Sequence, residues 1–170
     1  LEKRLWPEDY SHRLTLAIPT TAGRLRMVSE RRQWPSHTPD ELAQLPLATD
    51  GVPEVGRDGL GLAWVGHATF VVRLGGLTVL TDPVWAGSFP GVDRLAAPGV
   101  AWADLPPIDA VVLSHNHRDH LDATTVLRLP RDTWCFVPAG LGRWFTRRGF
   151  TQVVELDWWE SAVLGDVTFE

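Results

Sequence analysis

The sequence predicts a mixed α/β domain, in which a sheet begins as an antiparallel meander and continues as βαβαβ units with helices on at least one face. Three observations predict it. From Gly61 onward, strand-like runs at 62–65, 70–74 and 77–81 follow one another, separated by Gly66-His67 and by the turn pair Gly75-Gly76. Residues 108–113, apolar at every position but Asp109, read as one strand buried on both faces. Beyond them, strand-like runs at 133–137, 151–156, 161–164 and 166–170 alternate with helical spacing at 123–129 and at Leu141, Trp144, Phe145 and Arg148, where Gly149 ends the helix.

Size and composition bound the rest. A chain of 170 residues is one domain, or one and a fraction, and is long enough to bury a real core. Hydrophobic residues at 44% and charged residues at 22% exclude a disordered tail or a coiled-coil rod. Apolar runs as short as Ala110-Val111-Val112-Leu113 cannot cross a membrane as a helix. The single cysteine, Cys135, excludes a disulfide framework and a cysteine-rich zinc finger, and its apolar neighbours mark it as a small buried residue. A net charge of −5 offers nothing to nucleic-acid phosphates. Nine tryptophans suit either a partly apolar groove or core filling.

The first 58 residues are irregular, with six prolines from Pro7 to Pro53 and a basic cluster at Arg24, Arg26, Arg31 and Arg32. A helix is expected around 24–34. Thr38-Pro39-Asp40-Glu41 has the form of a capping box with proline at the first helical position, which predicts a short helix at 39–45. We read 1–58 as an arm wrapped over a domain formed by 59–170. Residues 83–107 read as a long Pro/Gly loop carrying Trp85, Phe89 and Trp102, of a length that is usually functional or covering. The chain begins at Leu1 and stops at Phe169-Glu170 inside an alternating run, and both ends read as cuts.

Chemistry concentrates in Ser114-His115-Asn116-His117-Arg118-Asp119-His120-Leu121-Asp122, directly after the buried strand. Three of the six histidines lie here. Loops at the carboxyl ends of strands are where such sheets bind ligands. Imidazole and carboxylate donors suit borderline divalent metals such as zinc. His115 and His117, two apart in extended chain, can grip one metal. Asp119 and His120 are adjacent, must diverge, and serve a second position. Asp122 precedes 123–129 and reads as a helix cap.

The pattern His115-x-His117-x-Asp119-His120 resembles the signature of the metallo-β-lactamase superfamily. WVGHATFVVRLGGLTVLTDPVW at 64–85, LPPIDAVVLSHNHRDHLD at 105–122, and the stretches VPAGLGRWFTRRGF and VVELDWWE within 137–160 are similar to N-acyl-phosphatidylethanolamine-hydrolysing phospholipase D and its bacterial relatives. The resemblance covers 64–170 and implies an αββα sandwich of which the chain holds the N-terminal half. It implies two zinc ions, with His115 and His117 on the first and Asp119 and His120 on the second, and Asp119 is the residue we assign to catalysis. Arg118 departs from the tyrosine usual in these relatives. The family takes three more ligands from later in the chain: a histidine, a bridging aspartate and a second histidine. No histidine follows His120, and neither Asp157 nor Asp166 lies in the turn that would supply the aspartate.

His67, in Gly-His-Ala-Thr, is either a group supporting the metals or a hydrogen-bonded turn residue. Asp82, in Thr-Asp-Pro, is either the carboxylate that orients a ligating histidine or a turn starter. His12 and His37 fall in the arm. Of Trp158 and Trp159, which could line a lipid groove, at least one is expected in the core. The expected activity is zinc-dependent hydrolysis of a phosphodiester, phospholipase D type, on N-acyl-phosphatidylethanolamine-like lipids, with this chain alone inactive. The alternatives are a non-catalytic metal-binding half-domain and a metal-dependent lactonase or esterase. A phospholipid or other phosphodiester substrate, peripheral contact with a membrane, and a cytoplasmic or membrane-peripheral location complete the expectation.

Overall fold

The computed structural model describes residues 20–30, 38–44, 51–89 and 92–170. The chain divides into two units, Leu1–Glu41 and Leu42–Glu170. In the first, α1 (Thr21–Glu30) is opened by Thr20, whose Oγ1 accepts from the Gly23 amide at 3.1 Å. This cap starts the helix earlier than the expected 24–34. Residues 31–34 lie outside the described ones, as do His12 and His37 and most of the expected arm. The expected capping box opens α2 (Pro39–Ala43): the Glu41 amide donates to Thr38 Oγ1 at 3.3 Å, and the Thr38 amide to Glu41 Oε2 at 2.8 Å.

The second unit is built on a six-stranded sheet. Its antiparallel part is β1 (Leu60–Gly66), β2 (Thr69–Leu74) and β3 (Leu77–Thr81). Gly75 and Gly76, at φ +59° and +78°, make the β2–β3 turn as the sequence predicts. A short hairpin follows, β4 (Ser88–Phe89) with β5 (Val92–Asp93). The parallel part is β6 (Ala110–Val112), β7 (Trp134–Pro138) and β8 (Val153–Leu156), in the order β1-β2-β3-β6-β7-β8. Between them lie α3 (Ala123–Val126) and α4 (Gly142–Thr146). A final hairpin pairs β9 (Ala162–Leu164) with β10 (Val167–Phe169). The helix expected over 123–129 shortens because the Arg128 and Leu129 amides bond three residues back, to Thr125 and Val126, closing it as tight turns.

Period-two alternation sends each strand's side chains to two faces. One face carries Ala63, Val65, Val71, Leu80, Val111, Cys135 and Val137, packed with Val126, Phe145 and Phe150 from the helical side. The other carries Val79, Ala110 and Phe136, packed with Val167 and Phe169 of the terminal hairpin; the Phe136 and Phe169 rings stack at 3.9 Å between centroids. The layers are therefore helices, sheet and hairpin.

Two expectations need correction. The 83–107 segment covers, as expected of its length, but it is no bare loop: it holds the β4–β5 hairpin and a 3-10 turn at Trp102–Asp104. It is pinned as a cover: Trp85 Nε1 donates to Val100 O at 2.9 Å, Arg94 to Val84 O at 2.9 Å, and the Gly99 amide to Val65 O at 3.0 Å. A Cβ at Gly99 would collide with the Trp64 carbonyl. The second correction concerns Trp158 and Trp159, which occupy a turn and are 47% and 88% exposed, so neither is core. The Asp157 carboxylate takes the Trp158 amide at 2.9 Å and Glu160 Oε2 takes the Asp157 amide at 2.8 Å, local bonds that replace a ladder.

Candidate metal centre

The site lies at one edge of the sheet because of topology. β3 and β6 run parallel, so their carboxyl ends share an edge. β2 runs against β3, so the β1–β2 turn falls at the same edge. This brings together three segments distant in sequence: His67 from the β1–β2 turn, Asp82 just past β3, and the 114–120 loop just past β6.

Asp82 is the hub. Its backbone stands at φ +37° and its residue is only 6% exposed. Oδ1 accepts from the Ser114 amide at 2.8 Å, and Oδ2 accepts from Ser114 Oγ at 2.7 Å and faces His120 Nδ1 at 2.8 Å. An ionised carboxylate only accepts, so His120 carries its proton on Nδ1 and presents Nε2 outward. Ser114 spends its proton on Asp82, and its oxygen is free to accept from His115 Nδ1, 2.9 Å away. His115 thus also presents Nε2. The chain's order, a hydroxyl between a buried strand and a histidine, was the only sequence signal for Ser114, and the sequence reading gave it no role.

The loop itself is turned by the His120 and Leu121 amides, which both donate to His117 O at 3.0 and 2.7 Å. The His115 and His117 rings lie on one side of the sheet edge with centroids 4.5 Å apart, and His115 and His120 are 4.0 Å apart. Burial first, then His120 and His117, push the His115 imidazole below its ordinary value against the pull of Asp82 and Asp119. The neutral form this favours is the form that binds metals. His67 Nε2, His120 Nε2 and Asp119 Oδ2 lie within 4.8 Å of one another, a group able to hold a metal ion. A set of imidazoles with one carboxylate, two of the imidazoles held in the ligating tautomer, fits a borderline divalent ion.

Asp122 is the cap the sequence predicts: its carboxylate accepts from the Thr124 amide at 3.0 Å and from Thr125 Oγ1, and it also takes the Ala86 amide at 3.2 Å, tying the covering segment to α3. Cys135 is fully buried and burial pushes its thiol up to about 12, so it is no nucleophile. Beyond the loop, an open cleft of about 410 Å³ runs from Ser114 past Phe136 and Leu156 to Trp158 and Trp159.

Residues 78–170 match the Beta-lactamase superfamily domain. The chain is 43% identical over 118 residues to N-acyl-phosphatidylethanolamine-hydrolyzing phospholipase D 1 of Caenorhabditis elegans, a match covering 61% of this chain and 33% of that protein. Among solved structures it is similar to a possible metal-dependent hydrolase from Veillonella parvula (TM-score 0.54, 26% identity, 63% of this chain and 45% of that one). It is also similar to CmlA, a diiron beta-hydroxylase from Streptomyces venezuelae (TM-score 0.51, 34% identity, 68% of this chain and 24% of that one). The match spans about a third of the length of the worm relative. With a mixed sheet carrying a His/Asp cluster at its strand ends, and with the domain match extending over more than half its residues, the chain belongs to the beta-lactamase superfamily and has a metallo-β-lactamase-like fold.

Proposed function

We propose that this chain is the metal-binding part of a zinc-dependent phosphodiester hydrolase of phospholipase D type, acting on N-acyl-phosphatidylethanolamine-like lipids. The observation that carries the reading is the convergence of His115, His117, Asp119 and His120 at the carboxyl ends of β3 and β6, with Asp82 aimed at His120 from behind. His115 and His117 are the donors of one position, and Asp119 and His120 those of the other. Bound there, zinc supplies positive charge for the phosphoryl oxygens and makes water acidic enough to act near neutral pH. Asp82 and Ser114 hold the rings of His120 and His115 in the tautomer that ligates. Asp119, half-exposed beside these rings, is the carboxylate placed to take a proton from the attacking water. Water would add to phosphorus as Asp119 takes its proton, the bond from phosphorus to the ethanolamine oxygen would break, and that oxygen would take the proton back from Asp119, so that phosphatidate and N-acylethanolamine leave. The cleft walled by Trp158 and Leu156 offers apolar surface beside the site for an acyl chain.

Likeness to the worm phospholipase supports the substrate class, and likeness to a diiron hydroxylase makes iron the rival metal. The test uses the protein as its gene encodes it, loaded separately with zinc and with iron(II), on mixed micelles of N-acyl-phosphatidylethanolamine, on a simple aryl phosphodiester and on a lactone. Release of phosphatidate by the zinc form, lost in Asp119→Asn, is expected. Lactone turnover without phosphatidate release would replace the substrate class, and activity confined to the iron form would replace the metal. The 170-residue chain by itself, with four of the seven family ligands, is expected to turn over none of the three.

A further inference from the structure

We infer that His67 is itself a metal ligand, completing with Asp119 and His120 a three-donor site for one divalent zinc-class ion; this rests on the metal reading above and changes its membership. The donor distances carry it. His67 Nε2 is 3.2 Å from His120 Nε2 and 3.3 Å from Asp119 Oδ2, and His120 Nε2 is 3.6 Å from Asp119 Oδ2. Donors held at about 2.0–2.1 Å around a tetrahedral ion stand about 3.3–3.4 Å apart. All three separations fall near that value, and the three atoms come from three side chains on two separate segments.

A hydrogen bond explains the cluster less well. Asp82 holds the proton of His120 on Nδ1, so His120 Nε2 is a lone pair, and Asp119 offers only lone pairs. One N–H of His67 can satisfy one of these acceptors linearly and leaves the other facing it. A cation satisfies all three donors at once. The backbone permits it: His67 stands at φ +50° in the β1–β2 turn, a conformation histidine tolerates better than most residues. Its carbonyl is also clamped, by Trp64 Nε1 at 3.0 Å. The His67 and Asp119 side chains are 56% and 50% exposed, so an ion can reach the three donors from solvent.

The experiment separates this assignment from the metal reading as a whole. Zinc affinity of the 170-residue chain is measured by competition with a chromophoric chelator, and the number of imidazoles on zinc by X-ray absorption at one equivalent. The measurements are repeated on His115→Ala/His117→Ala, which leaves only the site in question in the 59–170 region. That variant is expected to hold zinc through two imidazoles. Adding His67→Asn, or His67→Gly, both tolerant of positive φ, is expected to lower affinity at least about 10-fold and to leave one imidazole. A single imidazole before and after the His67 change, with zinc still lost in Asp119→Asn, overturns the role of His67 and spares the metal reading. Zinc uptake by neither the chain nor the double variant overturns both.

Discussion

The two faces of the six-stranded sheet are made by the same strands and are covered unequally. On the helical face, Val71, Val111, Cys135 and Phe145 have no exposure at all, and the covering segment closes over the β1 end through Gly99 and Arg94. On the other face the β9–β10 hairpin covers β3, β6, β7 and β8, and the cover stops before β1. There Leu60, Leu62 and Trp64 pair across the ladder with Leu74, Val72 and Phe70, and the three β1 residues are 61%, 55% and 57% exposed. The alternation in β1 is thus apolar on both faces, with one face buried and one wet. A strand of this kind says that both faces are meant to pack, and it does not say against what.

That contrast can be broken by experiment. The largest effect is expected on the closed face: Phe145→Ala removes a fully buried ring that meets Trp144 and Phe150 at 4.8 and 5.5 Å, and should cost about 3–5 kcal/mol in a urea unfolding titration. Phe169→Ala, on the hairpin, should cost less, about 2–3 kcal/mol, because the ring is stacked on Phe136 but sits at the margin of its cover. A loss as large as that for Phe145 would mean the two faces are equally closed. At the edge where the faces meet, Asp82→Asn should leave the fold intact and weaken zinc about 10-fold or more in chelator competition, since the carboxylate that fixes the His120 tautomer is gone. Unchanged affinity would reduce Asp82 to a turn residue. The smallest effect is expected on the open strip: Leu62→Thr should shift stability by no more than about 0.5 kcal/mol while lowering light scattering of concentrated samples. A loss of several kcal/mol there would show that the strip is buried in solution, and the contrast between the faces would fall.

Much of the fold could be read before any coordinates. The Gly75-Gly76 turn, the capping box at Thr38, the Asp122 cap and the buried strand before the histidines are local statements, and each rests on a side chain or dihedral choice that the residue itself dictates. Misreadings came where neighbours decide. Trp158-Trp159 reads as partly core until the Asp157 and Glu160 carboxylates take the local amides and turn the pair outward. Residues 83–107 read as a loop until Arg94 binds the Val84 and Ala86 carbonyls within the segment and the Val65 carbonyl of β1 outside it.

The sequence alone therefore determined the order of the strands of the main sheet and of the helices between them, the loop that holds His115, His117, Asp119 and His120, and the resemblance that points to a hydrolase. Only the tertiary structure decided that His67 and Asp82 meet that loop, 53 and 38 residues away from His120 along the chain. The reason is directional. A residue's local preferences set its own dihedrals, but which strand ends share an edge follows from β2 running against β3 and β6 running with it. That pairing is settled by burial of both sheet faces over the whole domain, a sum no short window of sequence contains.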